Sequence, residues 1–559
     1  MLRLPIFKKT DDAFFWGAVI SLFFFKLALV SDVYVIARFS PFDDSLYVSR
    51  AFALINDGAW GPYDAYVLAK FPGISFWLAG MHALKIPYLL GINVLYGLAG
   101  IYLISALRGS GLTYRSLALA YAIYLLNPVT FSVGWALVMR EALSSVLLVI
   151  LLGASLRVMS VPSRSLAWGL ALALLSCSFA FSLLVREEDR LLWSYLALLA
   201  LAWAGLHWRQ VSPVTLLKVA FVVFVIPAVL AVGSGYAARG FNARHYGLPI
   251  LSDYGEGEFP KLMATLRGIE SSVDNRLVML PQDVIVKLQP LVPEFAPVLR
   301  ALPPPGNQTF SCKLQNVCSE WSNGWMPWWV KQASAEAGLT PTLPQTQAYF
   351  KRIREQIEAL CADGHLNCQD KGLGMIPPME LRWSRAFLQE FTRLLGMLVF
   401  PSVELLTEDT QSVGAARSLV EMYQQVTLSD IPNPDGSAVN AARNWWPVAS
   451  ELLRWRGNLA LCNAIVLVAV IVGASAALVW RWGMYPGVPV TPLFVLCVIF
   501  WAYSLARLLA LAYVAVFIGP FESRMVFSTY TALSLLSLLA IAECVQAAKI
   551  FKLMESRNA

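Results

Sequence analysis

The chain is predicted to be a polytopic α-helical membrane protein of about ten spans, with a large, mainly α extracytoplasmic domain inserted before the last three spans. Three observations predict this class. Of the 559 residues, 57% are hydrophobic and 14% charged, and the mean hydropathy is +0.59. A soluble fold of that length has too little interior for so much apolar side chain, because the buried fraction rises slowly with size. Several stretches are apolar over the ~20 residues that a helix needs to cross a bilayer: 13–36, 89–107, 115–133, 141–157, 165–185, 191–207, 214–233, 458–480, 489–518 and 525–547. Between residues 235 and 456 the apolar runs give way to proline and charge.

This divides the chain into an N-terminal membrane module, 1–234, the insert, 235–456, and C-terminal membrane helices, 457–559. A further apolar run, 73–86, is short and bounded by Pro72, Lys85 and Pro87. Basic residues decide its status. If it lies in the membrane plane, Arg108, Arg115, Arg157, Arg164, His207, Arg209, Arg481, Lys549, Lys552 and Arg557 fall on the same side as Lys8 and Lys9. If it spans, most of that charge moves outside, against the bias of cytoplasmic loops toward lysine and arginine. The expectation is therefore an in-plane or re-entrant segment, cytoplasmic termini, and a first outer loop over 37–88. The first span follows Arg3, Lys8 and Lys9 without a small-residue cleavage site, so it is read as a retained helix. The net charge of +7 then belongs to cytoplasmic loops and not to a nucleic-acid surface.

Cys177, Cys462, Cys497 and Cys544 fall in apolar spans, whereas Cys312, Cys318, Cys361 and Cys368 fall in the insert. An even, closely spaced set suits an oxidising compartment. Pairing of neighbours, 312 with 318 and 361 with 368, is expected, with other connectivities and free thiols as alternatives. In the insert, Gln345 to Cys361 and Glu380 to Val426 carry apolar residues at helical spacing, and Pro303 to Gly306 mark a loop. Trp321, Trp325, Trp328, Trp329, Trp445 and Trp446 have two readings: faces on which sugars stack, or residues of a core or membrane interface, which is the commoner role.

The informative residues are charges that membrane packing would not place. Pro41-Phe42-Asp43-Asp44-Ser45-Leu46-Tyr47 opens the first outer loop. A helix is expected after Asp43 and capped by it, with Leu46, Tyr47, Ala51, Leu54 and Ile55 forming a stripe suited to the membrane surface. Asn56-Asp57-Gly58 ends it. Adjacent carboxylates on a helix point in different directions, so one of the pair is expected to aim into a shared site. Were both to do so, repulsion would raise one pKa and suit that group to general-base work. A solvated cap is the plainer alternative. Arg140-Glu141, Arg186-Glu187-Glu188-Asp189-Arg190 and Glu522-Ser523-Arg524 occupy three more span edges on the same face. One such loop reads as an interfacial ion pair, but four on one face, each with an acid and a base, read as a polar site. Lys26 and Arg507 lie deeper, where snorkelling or pairing inside the bundle is the default.

Asp43-Asp44-x-x-Tyr47-x-x-x-Ala51, the turn at Asp57-Gly58, and Lys70-Phe71-Pro72 leading into an aromatic segment with Trp77 resemble the first outer loop of the GT-C superfamily. These are integral-membrane glycosyltransferases that use polyprenyl-phosphate-linked sugars; the protein mannosyltransferases and lipid A aminoarabinose transferases are similar there. Glu141 matches the acid of the superfamily's second outer loop. Glu522-Ser523-Arg524-Met525 matches a Glu-x-Arg-aromatic step, with methionine replacing the aromatic residue. Ala69 stands where the family often has an acid, and Phe71-Pro72 where it has Pro-Pro. The resemblance covers the first ~160 residues and the last ~40, and not the insert.

The resemblance implies inverting transfer of a sugar from a polyprenyl-phosphate donor to an extracytoplasmic glycan, lipid or protein acceptor. Asp43 would be the base, with Asp44 beside it as the second candidate. Lys70, Arg140 and Arg524 would bind the donor phosphate. Glu141, Glu187 and Glu188 would hold sugar hydroxyls or a divalent metal, Mg2+ or Mn2+, although some members of the family need none. A bacterial inner membrane is the expected location, because the insert lacks dense glycosylation sites. The insert would carry acceptor specificity and not the chemistry.

The sequence contains no phosphate-cradling glycine loop, no His-Glu-x-x-His and no metal-spaced His/Cys cluster, and His82, His207, His245 and His365 are scattered. A cytosolic nucleotide-sugar donor is therefore not expected. Two other classes stay open. One is a lipid-linked glycan polymerase or ligase, with its key charges in the insert. The other is a non-enzymatic scaffold or transporter, for which paired repeats would be expected and none is seen.

Overall fold

The computed structural model describes residues 9–432 and 491–534, apart from 32, 109–111, 274–275, 306–311, 313–316, 370–374, 400–403 and 407–409, together with Leu536. In chain order these residues form α1 (Lys9–Val30), α2 (Asp44–Asp57), α3 (Gly73–Ala83), α4 (Tyr88–Ala106), α5 (Tyr114–Leu125), α6 (Arg140–Ser160), α7 (Leu166–Val185), α8 (Leu192–His207) and α9 (Pro213–Tyr246). Then come α10 (Glu258–Gly268), α11 (Gln282–Leu291), α12 (Ala296–Ala301), α13 (Met326–Glu336), α14 (Leu343–Ala362), α15 (Ser384–Val399), α16 (Arg417–Thr427) and α17 (Pro492–Ile518). Among the described residues there is no β-strand, only isolated bridges.

Seven helices among the described residues are long and apolar enough to cross a membrane: α1, α4, α6, α7, α9, α17, and α8 with the 3-10 turn Glu187–Leu191 ahead of it. The chain is an integral membrane protein. Leu166, Leu217 and Phe221 stand 80%, 73% and 63% exposed, which suits lipid and not water. At the bundle's centre, α6 is buried on nearly every face and packs against α4, α7 and α17. Arg108 pairs with Asp12, and Arg157 donates to Ser105, at one end of the bundle. The acid–base loops lie at the other end. The expected span 458–480 lies outside the described residues, as do Trp445, Trp446 and the part of 525–547 beyond Leu536.

Three local expectations change. The stretch 115–133 is not one helix. Asn127-Pro128 stops α5, because proline excludes the residue before it from helical geometry. The chain continues through a 3-10 turn, Pro128–Phe131, whose irregular backbone is shielded inside the protein. There Lys26 of α1 donates to Thr130 at 2.7 Å and lies over the Phe131 ring. Second, the stripe of α2 does not meet lipid: Leu46, Tyr47 and Ala51 are buried, and the helix packs on α3 and α16. Gly58, left-handed at φ 70°, terminates it as expected. Third, α9 runs unbroken past Gly235 to Tyr246, about 51 Å at 1.5 Å per residue, and so carries beyond a hydrocarbon layer of about 30 Å. Left-handed Gly247 ends it. The 73–86 run forms the 11-residue α3, too short to span.

The insert packs in two parts. Helices α10 to α14 close around their own core, with Phe259, Leu262, Leu288, Val330, Phe350 and Ile353 at its centre. Helices α15 and α16 bury Leu394, Leu398, Tyr423 and Val426 against the membrane bundle instead. Cys312 is bonded to Cys318 and Cys361 to Cys368, the neighbour pairing expected.

Candidate active site

The first outer loop sets two adjacent carboxylates to different tasks. Asp43 does not cap α2: its side chain makes no capping bond. It turns instead toward two cations. Lys70 donates to its Oδ1, and Arg524 Nη2 stands 3.6 Å from its Oδ2. Asp44 is buried and accepts the backbone N–H groups of Arg38, Phe39 and Ser40 at 2.7, 3.1 and 2.8 Å. Three successive N–H groups converge because Phe39 is left-handed, φ 49°, which curls the chain into an anion-holding nest. Asp44 therefore shapes the loop that presents Asp43 and does not itself face the cations.

The position of Lys70 is fixed from both sides. Arg50 Nη1, on α2, donates to the Lys70 carbonyl at 2.8 Å. From the outer part, the Asp253 N–H donates to the Leu68 carbonyl at 3.0 Å and Ser252 Oγ to the Ala69 carbonyl at 2.9 Å. Asp253 is itself buried in an ion pair with Lys331 and accepts from Tyr63. The Lys70 ammonium lies 5.6 Å from the Tyr47 ring and 5.7 Å from the Trp328 ring.

The other charged edges close on the same place. Arg140 pairs with Glu187, whose other oxygen accepts from the Phe71 N–H at 3.4 Å. Arg186, fully buried, donates to Glu188 at 2.7 Å and lies 4.0 Å from Glu141. Arg186 also reaches Met525 Sδ at 3.4 Å, the position where the family resemblance has an aromatic residue. Asp189 pairs with Arg507 at 3.2 Å, and Tyr503 donates to Asp189. Arg524 also holds Glu522 at 2.7 Å. All the candidate residues read from the sequence except Asp44 thus sit in ion pairs at this face: Lys70 and Arg524 with Asp43, Arg140 with Glu187, and Arg186 with Glu188 and Glu141. Sequence reading put the 186–190 cluster, with Arg186 and Asp189, on this face and expected Arg507 to snorkel or pair inside the bundle, but named none of the three individually as a site residue. The charges were visible, but Arg507 meets Asp189 across 318 residues, and no local spacing reveals that.

Burial disfavours the ionised Asp43, yet Lys70 and then Arg524 outweigh it and hold the carboxyl well below the usual carboxylate range. This is the reverse of the repulsion that two converging carboxylates would give. Burial pushes Lys70 below the ordinary lysine range, with Asp43 opposing. Several atoms of these groups are buried with no hydrogen-bond partner among the described residues: Arg524 Nη1, Arg186 Nη1, Glu141 Oε2, Glu188 Oε2, Asp189 Oδ2, and Nε and Nη2 of Arg507, with Tyr47 Oη close by. Such atoms mark places where a ligand or ordered water bonds. Among the described residues no group of three His, Cys, Asp or Glu side chains is placed to hold a metal ion. Glu187 answers Arg140, and Glu188 and Glu141 share Arg186.

The same substitution separates the two aspartates. Asp44→Ala leaves three part-buried N–H groups without their acceptor and lowers stability by about 1–3 kcal/mol. Asp44→Asn keeps an accepting oxygen and loses less. Thermal unfolding of the purified protein in detergent measures both, and equal stability of Asp44→Ala and the parent would refute the nest.

No family model and no curated protein sequence matches the chain. Three solved structures that resemble it are GT-C superfamily members, the family that the first loop resembles. One is the S. cerevisiae protein O-mannosyltransferase Pmt1-Pmt2 complex bound to the sugar donor, at 15% identity and TM-score 0.35 over 50% of this chain. The chain spans 39% of the length of that protein. The others are ArnT from Cupriavidus metallidurans bound to undecaprenyl phosphate, at 14% identity and TM-score 0.26, and its apo state, at 12% and 0.27. These alignments cover 95% and 94% of this chain, and 77% and 76% of the ArnT chains.

Proposed function

We propose that the chain is an inverting membrane glycosyltransferase that moves a sugar from a polyprenyl-phosphate donor to an extracytoplasmic glycan, lipid or protein acceptor. The observation that carries this reading is the Asp43 carboxylate between Lys70 and Arg524, with an unpartnered guanidinium nitrogen of Arg524 beside it. Glycosyl transfer needs a base for the acceptor hydroxyl and cations for the departing phosphate, and this cluster has both in one place.

In the unliganded site Asp43 is too weak a base, because the cations hold it ionised. Donor phosphate resolves this. Its oxygens take the donors of Lys70 and Arg524, with Arg140 adding positive charge nearby, and each cation so engaged stabilises Asp43 less. The carboxylate then regains basicity when a donor is in place. The acceptor oxygen attacks the anomeric carbon, its proton passes to Asp43, and the bond from that carbon to the phosphate oxygen breaks. The electron pair leaves with the polyprenyl phosphate, held by the cations. A single displacement inverts the configuration. Glu141, with a free buried oxygen, is assigned to a sugar hydroxyl. Glu187 and Glu188 hold Arg140 and Arg186 in position, and no step runs through a metal.

The disposition that goes with this reading is about ten spans, both termini cytoplasmic, and the insert on the outer face of a bacterial inner membrane. In intact cells, a membrane-impermeant maleimide applied after mild reduction should label Cys312. Labelling only after lysis would invert the map.

Asp43→Asn is expected to lower sugar transfer from an undecaprenyl-phosphate-linked donor by about 10²–10⁴-fold, the usual contribution of a general base, at unchanged folding and abundance. Unchanged transfer rules the assignment out. The profile of kcat/KM against pH reports the free enzyme. Lys70 loses its proton, and with it the phosphate's counter-charge, as pH rises through its lowered pKa, so the alkaline limb lies below the ordinary lysine range. Lys70→Arg should move that limb upward, since guanidinium stays charged. An alkaline limb that does not respond to this change assigns it to another group.

A further inference from the structure

Helix α13 has two unlike faces. Met326, Val330 and Ala333 are buried in the core of the outer part. Trp325, at its N-cap, then Trp328, Gln332 and Glu336 follow at helical spacing along another face, and none of them is buried. This second face meets the first outer loop. Phe42 lies 5.0 Å from Trp328 and 5.6 Å from Trp325, ring centre to ring centre, and 5.0 Å from Tyr66. The Tyr66 hydroxyl donates to Gln332 at 2.9 Å, and Gln332 donates to Glu336 at 2.8 Å. Phe42 is the chain neighbour of Asp43, and Trp328 lies 5.7 Å from the Lys70 ammonium. A half-buried aromatic cluster with an amide and a carboxylate along one side thus adjoins the proposed base.

We propose that this cluster is the subsite for the acceptor, and that the acceptor presents a carbohydrate ring there. The proposal rests on the transfer reading above. Aromatic faces carry negative potential and attract the polarised C–H groups on one side of a sugar ring. Bonded to each other and to Tyr66, Gln332 and Glu336 keep a second amide N–H and the remaining lone pairs of the exposed carboxylate for the hydroxyls at its edge, which matches the usual makeup of small-molecule sites: apolar walls with a few placed polar groups. A lipid chain would be held here by the outer part, away from the apolar surfaces between spans. The subsite is shared between loop and insert, so acceptor choice and chemistry meet at Phe42-Asp43.

The test uses the full chain in detergent micelles. It is titrated calorimetrically with oligosaccharides released by mild acid from the envelope glycans of the cells that make it. Saturable binding is expected. Phe42→Ala and Trp328→Ala should each weaken it at least about tenfold, while Trp328→Phe, which keeps a ring, should retain most of it. Asp43→Asn should bind these oligosaccharides like the parent while failing to transfer. No binding by the parent, or parental binding by both alanine variants, overturns the subsite. So does loss of undecaprenyl phosphate binding in Trp328→Ala with oligosaccharide binding intact, which would assign the cluster to the donor lipid. Full transfer by Asp43→Asn would sink the transfer reading instead, whatever the titration gives.

Discussion

The ion pair between Asp43 and Lys70 sets the terms for everything around it. Lys70 is largely shielded from water, and removing such ions from solvent costs several kcal/mol each unless partners restore the lost hydration. Every additional charge near this pair faces the same demand. Arg140 is answered by Glu187, Arg186 by Glu188 with Glu141 near, Arg507 by Asp189, and Arg524 by Glu522 and Asp43. The site is thus a closed set of compensated charges. In the proposed transfer, donor phosphate enters by exchange, taking cations from carboxylates, and that exchange would couple donor binding to a change in the basicity of Asp43.

Closing the set requires precise backbone placement, and the chain supplies it from two directions. Within the membrane module, Arg50 holds the carbonyl of Lys70, and the Asp44 nest fixes the residues ahead of Asp43. From outside, Ser252 and Asp253 bond the carbonyls of Ala69 and Leu68, and Asn242, on the part of α9 beyond the bilayer, accepts from Trp60. The Asp253–Lys331 pair is a costly way to gain stability, since burying it forfeits the hydration of both ions. Its return is position. It anchors the outer part on the turn that carries Lys70, and rigid supports of this kind hold site geometry better than a free loop would.

Much of this was legible in the chain itself. The side on which arginines and lysines cluster fixes the direction of every span, so Asp43, Lys70, Arg140, Glu141, Glu187 and Arg524 could be assigned to one face before any coordinates. The length of 73–86 argued for an in-plane helix, and α3 has that length. Asn127-Pro128 was also a readable stop that the apolar composition of 115–133 masked. Other features depend on long-range packing. The inward path of Asp44 follows from a left-handed Phe39, an uncommon state for a residue with a large side chain. The Arg507–Asp189 pair joins two spans distant in sequence. The stripe of α2 has the period of a membrane-surface helix, and packing on α3, α16 and the outer part's core makes it an interior one, since amphipathic spacing is the same whether lipid or protein covers the face.

The same packing bears on what the insert is. A domain that merely hangs outside the membrane would leave the first loop free, and its loss would leave the charges in place. Here Tyr423 of α16 hydrogen-bonds Ser45 at 3.0 Å and meets the Phe39 ring edge to face, so it braces both ends of the Asp44 nest. The Val133 N–H donates to the Glu404 carbonyl at 2.9 Å, tying the insert's later part to the loop before Arg140. Asn323, just ahead of α13, donates to the Phe517 carbonyl at the end of α17. Both parts of the insert therefore bond to the segments that present the charged residues. The proposed acceptor subsite on α13 and charge placement in the membrane module are joined through these contacts, so a shift of the outer part moves Lys70 as well as the aromatic face beside it.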